Sequence, residues 1–147
     1  MSLYLSNWAS HRTPGMHGPG YAPLTIMARP RHFERGAGRV MALIPTEREI
    51  PLLMAALANR DDEAAVHAYR AALEARWATM ALAPGMLMSR QRNDSVPRAV
   101  LSGMTLCCAC SRAEAAAGRC HRAWAAPFLA RAGWTVVLDG APYTVPA

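Results

Sequence analysis

Met104-Thr105-Leu106-Cys107-Cys108 and Trp134-Thr135-Val136-Val137-Leu138 are short apolar runs about thirty residues apart, each preceded by a glycine. Between them Cys120-His121-Arg122 opens a helical run that reaches Ala132. Apolar runs this short read as buried strands. Strand, helix and strand over this length form a crossover unit, which joins parallel strands with right-handed sense. The unit predicts an α/β fold: a small, mostly parallel sheet flanked by helices, built as a single domain over residues 1–147.

The rest of the chain fits around that unit. Leu3–Trp8 and Leu24–Ala28 are two further strand candidates. Pro30 stops the second, because proline cannot donate to a ladder. Val40–Ile44 reads as a brief extended segment. Thr46 and Glu49 form a capping box before a helix ending near Ala58. A longer helix is predicted over Asp61–Leu82, with Val66, Tyr69, Leu73, Trp77 and Met80 as its core-facing stripe. Pro97 starts a short predicted helix to Ser102. Ser111 and Glu114 make a second capping box. Pro127 is expected to kink or split the last helix. Asp139-Gly140 turns the final strand into a terminal hairpin.

Composition bounds the function. Hydrophobic residues make up 52% and charged residues 18%, which fits a folded domain rather than a disordered chain. No apolar run is long enough to span a membrane. Met1–Asn7 lacks a basic n-region and reads as a first strand, not a signal peptide. The net charge is +6, and every cation is an arginine. Arginine suits two-pronged binding of phosphate or carboxylate, while the complete absence of lysine is also what coding bias produces. The four cysteines crowd into one segment, unlike a dispersed disulfide framework. Free thiols and a cytoplasmic location are expected.

Ligands of open α/β sheets bind beyond the carboxyl ends of the strands. Asn7, Ser10, His11 and Arg12 follow the first strand, and Arg29 and Arg31 the second. Cys108 and Cys110 follow the third, and Cys120, His121 and Arg122 open the next helix. Parallel strands would place these groups on one rim. The Pro/Gly-rich stretch from Ser10 to Pro23 would then be either a ligand-contacting loop or a solvated connection.

Leu106-Cys107-Cys108-Ala109-Cys110 followed by Cys120-His121-Arg122 resembles the signature of the "domain of unknown function 488" family. Leu3–Ala9 is similar to its first strand, and so are Thr25–Pro30 and Leu43-Ile44-Pro45 to its next segments. The middle helices carry no such likeness. The Cys108–Cys120 loop is longer than the family's, and Pro127 interrupts the helix that follows. The resemblance implies a single α/β domain with a cysteine-containing site and no settled reaction.

Four chemistries compete for the cysteines. In the first, a thiol enzyme, Cys120 is the thiolate and most acidic of the four, with Cys108 beside it. Arg122 and nearby N–H groups cradle an anion, and His121, His11 or His17 is the base. The substrate would be a small anionic or nucleotide-like ligand. Tyrosine-phosphatase chemistry is excluded, because no cysteine has an arginine six positions on. No Walker or Gly-x-Gly-x-x-Gly pattern is present. The second chemistry is zinc, disfavoured by the Cys-x-Cys spacing and the adjacent Cys120-His121, so neither a metal nor another cofactor is expected. The third is nucleic-acid binding, which the charge permits but the scattered arginines support weakly. The fourth is packing alone, which suits Cys107 best. Non-catalytic sequestration of a ligand or another protein is the alternative to turnover.

Overall fold

A computed structural model describes residues 1–10, 12–19, 21–27, 37–91 and 96–146. The elements run β1 (Ser2–Asn7), β2 (Leu24–Thr25), α1 (Ile50–Ala58), α2 (Glu63–Trp77), β3 (Met88–Ser89) and β4 (Arg98–Ala99). They continue as β5 (Thr105–Cys108), α3 (Arg112–Ala116), α4 (His121–Arg131), β6 (Thr135–Leu138) and β7 (Ala141–Pro142). The fold is the predicted α/β domain. Its five-stranded sheet has the order β2-β5-β1-β6-β7. All neighbours pair in parallel except β7, which turns back on β6.

The apolar runs form the sheet because together they line a fully covered face. Leu3, Leu5, Leu106 and Val136 are at most 1% exposed, as expected for parallel strands. β5 enters α3 and α4, and α4 returns to β6 on the far side of β1. α2 packs on α4 through its stripe, where Tyr69 meets Trp124 and Trp77 meets Phe128, both edge to face, but Met80, also assigned to the stripe, lies past the helix end and is exposed. Trp77 Nε1 donates to Ala42 O at 3.0 Å. Asp62 caps α2 by accepting from the N–H groups of Ala64 and Ala65. No helix among the described residues is long and apolar enough to cross a membrane.

Four expectations are corrected. Pro97–Ser102 is not a helix: Arg98 and Ala99 pair antiparallel with Ser89 and Met88, and Val100 N donates to Leu87 O. Val40–Leu43 is a turn rather than extended, entered from Arg39, which bridges Thr25 and Arg90. α2 ends at Trp77, where Ala78 N and Thr79 N close back on Glu74 O and Arg76 O. α4 runs unbroken through Pro127. A mid-helix proline costs about 3 kcal/mol. Complete burial of Ala125, Ala126 and Leu129 around it offsets that cost.

The candidate functional site

β1 and β5 end side by side, with Asn7 opposite Cys108. Cys120 is the N-cap of α4, in extended backbone and without a side-chain capping bond. The connection between them is fixed locally. Ser111 and Glu114 form the predicted capping box on α3, and Trp124 Nε1 donates to Gly118 O at 2.7 Å. This brings three sulfurs together: those of Cys108, Cys110 and Cys120 lie within 4.8 Å of one another. The Cys108 and Cys120 sulfurs are 3.2 Å apart. All four cysteines are free thiols.

Arg122 lies beneath the cluster, fully buried. Its Nη1 donates to Cys108 Sγ at 2.9 Å, to Cys120 Sγ at 3.4 Å and to Cys110 O at 2.8 Å. Nε and Nη2 each reach the Asp139 carboxylate at 3.1 Å. Burial works against its charge, but the sulfurs and Asp139 outweigh that, and the guanidinium stays cationic. This corrects the expectation that Arg122 cradles a ligand. Its donors are committed to the protein, and it positions the sulfurs instead.

The sulfurs are not equivalent. Burial pushes the Cys108 thiol up to about 12. Hydrogen bonding to Cys108 and Cys110, with burial, holds Cys120 well above 9.0. Cys110 is half-buried. Interaction with the Cys108 and Cys120 thiols pulls its thiol below 9.0. Of the three thiols, Cys110 is the one pulled down, while Cys108 and Cys120 are pushed up. Cys120, expected to be the most acidic, is instead 1% exposed with its thiol pushed up. Its N-cap position and flanking arginines do not compensate for packing against another sulfur.

Cys110 and His121 line a cavity of about 210 Å³. α1 supplies Ile50, Leu53, Met54 and Leu57 to its lining, and Arg60 and Tyr69 also reach it. α1 carries no charged residue, and only its Ala56 is buried. His121 Nε2 donates to Ile26 O at 2.8 Å. Burial pushes His121 down, so the ring is neutral and Nδ1 is its free acceptor. The Tyr69 hydroxyl is buried without a hydrogen-bond partner among the described residues. Burial, reinforced by the nearby cysteines, keeps it protonated.

The other predicted residues that the structure describes do not line this cavity. Asn7 is buried, and its Oδ1 accepts from Ser10 N at 2.7 Å, so both shape the turn after β1. Arg12 is exposed and does not line the cavity. His11, Arg29 and Arg31 lie outside the described residues. The end of the Pro/Gly-rich stretch packs at the opposite end of β5, where Gly18 N donates to Thr105 Oγ1 at 2.9 Å. A Cβ on Gly18 would lie 1.7 Å from Gly103 O. Sequence reasoning missed the cavity's apolar wall and Tyr69. The one available signal was an α1 segment with no polar face.

Cys108, Cys110 and Cys120 are the residues able to hold a soft metal ion. Two features oppose one in this arrangement. Sulfurs sharing a tetrahedral zinc at about 2.3 Å stand about 3.8 Å apart, more than the 3.2 Å between Cys108 and Cys120. The Arg122 cation also sits 2.9 Å from Cys108 Sγ, where it repels a second cation.

No family model, curated protein or solved structure matches this chain.

Proposed function

We propose that this protein is a thiol-dependent enzyme acting on a small ligand in the α1-walled cavity, with Cys110 as its nucleophile. The observation that carries the reading is the placement of Cys110. It is the one sulfur of the cluster that lines the cavity, and the other two lie within 4.8 Å of it. Activated cysteines owe their reactivity to such surroundings. The lining favours a ligand with an apolar body. Arg60, which also pairs with Glu114 at 2.6 Å, is the lining cation nearest an anionic end, and Tyr69 O–H and His121 Nδ1 offer a donor and an acceptor. At about 210 Å³ the cavity is smaller than the roughly 300–1,000 Å³ that holds drug-sized ligands. That favours a compact molecule over a whole nucleotide. Free thiols support a reducing compartment, and we place the protein in the cytoplasm.

The test compares alkylation by N-phenyliodoacetamide and by iodoacetate. Cys110 is expected to react first and faster with the phenyl reagent, and Cys110→Ser to lose that reaction. Equal labelling of several cysteines, or none in the folded protein, would count against the reading.

A further inference from the structure

We infer that the Cys108/Cys110/Cys120 cluster reduces organic hydroperoxides, with Cys110 taking the oxygen and Cys120 closing a disulfide onto it. The inference rests on Cys110 being the cavity's reactive thiol and names the substrate class. Acyl or phosphoryl transfer needs one thiol. Two more in contact with it serve no purpose there and expose it to oxidation. Disulfide formation needs a second thiol at this distance. Peroxide-reactive cysteines combine thiolate character, access and a neighbouring resolving thiol. The cluster supplies these: Cys110 is half-buried in a cavity wall with its thiol pulled down, and the Cys108 and Cys120 sulfurs lie within 4.8 Å of it. The apolar lining selects a hydroperoxide with a hydrocarbon substituent. The unpartnered Tyr69 hydroxyl offers a hydrogen bond to the departing oxygen.

Cys120 is better placed than Cys108 to close the bridge. Cys108 and Cys110 are separated by one residue, and Cys108 O is tied to Trp8 N at 3.1 Å. Cys120 lies at a helix N-cap whose side chain makes no capping bond. Its sulfur can shift without breaking a ladder.

The chemistry balances as follows. The Cys110 thiolate attacks the outer oxygen of ROOH, an S–O bond forms, and the O–O bond breaks. The alkoxide takes a proton from solvent and leaves as ROH, and Cys110 becomes a sulfenic acid. Cys120 then attacks the Cys110 sulfur. An S–S bond forms, and the S–O bond breaks. The expelled hydroxide takes the Cys120 proton and leaves as water. Two thiols lose two electrons, and the hydroperoxide gains them.

The experiment treats the reduced full-length protein with one equivalent of cumene hydroperoxide. Trypsin cuts after Arg112, Arg119 and Arg122, so Cys120 leaves on its own short peptide. Non-reducing mass spectrometry is expected to find that peptide bridged to the one containing Cys110. Fragmentation should place the bond at Cys110, and the intact chain should have lost two hydrogens. One cumyl alcohol should form per chain, and dithiothreitol should restore the thiols. In Cys120→Ser the reaction should stop at a sulfenic acid that dimedone traps on Cys110. A bond placed between Cys108 and Cys120 would overturn the inference. Four intact thiols after treatment, in protein whose Cys110 still alkylates selectively, would overturn it while leaving the reactive-thiol reading standing. If Cys110 neither alkylates nor oxidises, both fail.

Discussion

Asp139 holds the buried Arg122 guanidinium at 3.1 Å through two nitrogens, from 17 residues further along the chain. The contact joins the end of β6 to the sulfur cluster at the end of β5. It depends on a hairpin turn in which Asp139 (φ 48°) and Gly140 (φ 82°) are both left-handed, the pattern of a tight type I′ connection. The turn that ends the sheet thus fixes the cation that orients the thiols.

Asp139→Asn keeps the turn, because asparagine tolerates the left-handed region. It removes the charge that Arg122 faces. Hydrogen bonds to charged groups contribute about 1.5–3 kcal/mol, and a loss in that range is expected by urea unfolding. A change under about 0.5 kcal/mol would show that the sulfurs alone satisfy Arg122.

The Glu49–Arg76 pair gives a pH dependence. Glu49 is buried, and its carboxylate accepts from Arg76 Nε at 2.8 Å. Burial raises its pKa, but hydrogen bonds from Arg76 and Thr46 outweigh this and leave it below the ordinary 4.5. A lowered folded-state value stabilises the fold above 4.5, and that contribution is lost as pH falls through the folded value. Glu49→Gln should lower stability at neutral pH and flatten this part of the acid-unfolding curve. An unchanged curve would remove the pair from the stability account.

Leu73, on the buried stripe of α2, is fully buried. Leu73→Ala should cost about 2–5 kcal/mol. Met54, half-exposed at the cavity, should change stability by less than about 0.5 kcal/mol when replaced by Ser. Comparable losses at the two sites would contradict the assignment of the core.

Tyr69→Phe separates structure from chemistry. An unsatisfied buried hydroxyl costs about 1–3 kcal/mol, so its removal should leave the ligand-free protein as stable or more so. Hydroperoxide consumption should slow. A large loss of stability would mean that the hydroxyl has a partner in solution.

The fold was legible where the pattern was local. The apolar runs of β1, β5 and β6 and the Val66/Tyr69/Leu73/Trp77 stripe needed no long-range information. The β3–β4 pair was hidden because each strand is two residues long and Pro97 imitates a helix start. Pro127 misled for the opposite reason: tertiary burial overrode a local penalty. The convergence of Cys108, Cys110, Cys120, His121 and Arg122 was legible from the strand–helix junction. The division of roles among them was not. It depends on Asp139 reaching Arg122 and on Cys120 turning inward, neither of which spacing encodes.

The most direct test is the pH profile of alkylation at individual cysteines. N-phenyliodoacetamide labelling of the folded protein would be followed by fragment mass spectrometry. Cys110 is the expected first site, with a midpoint displaced below the ordinary value of about 8.5, because its neighbours pull its thiol down. Cys108 and Cys120 should label only after unfolding. Cys120 labelling first, or Cys110 rising with an ordinary midpoint near about 8.5, would contradict the assignment of the thiolate.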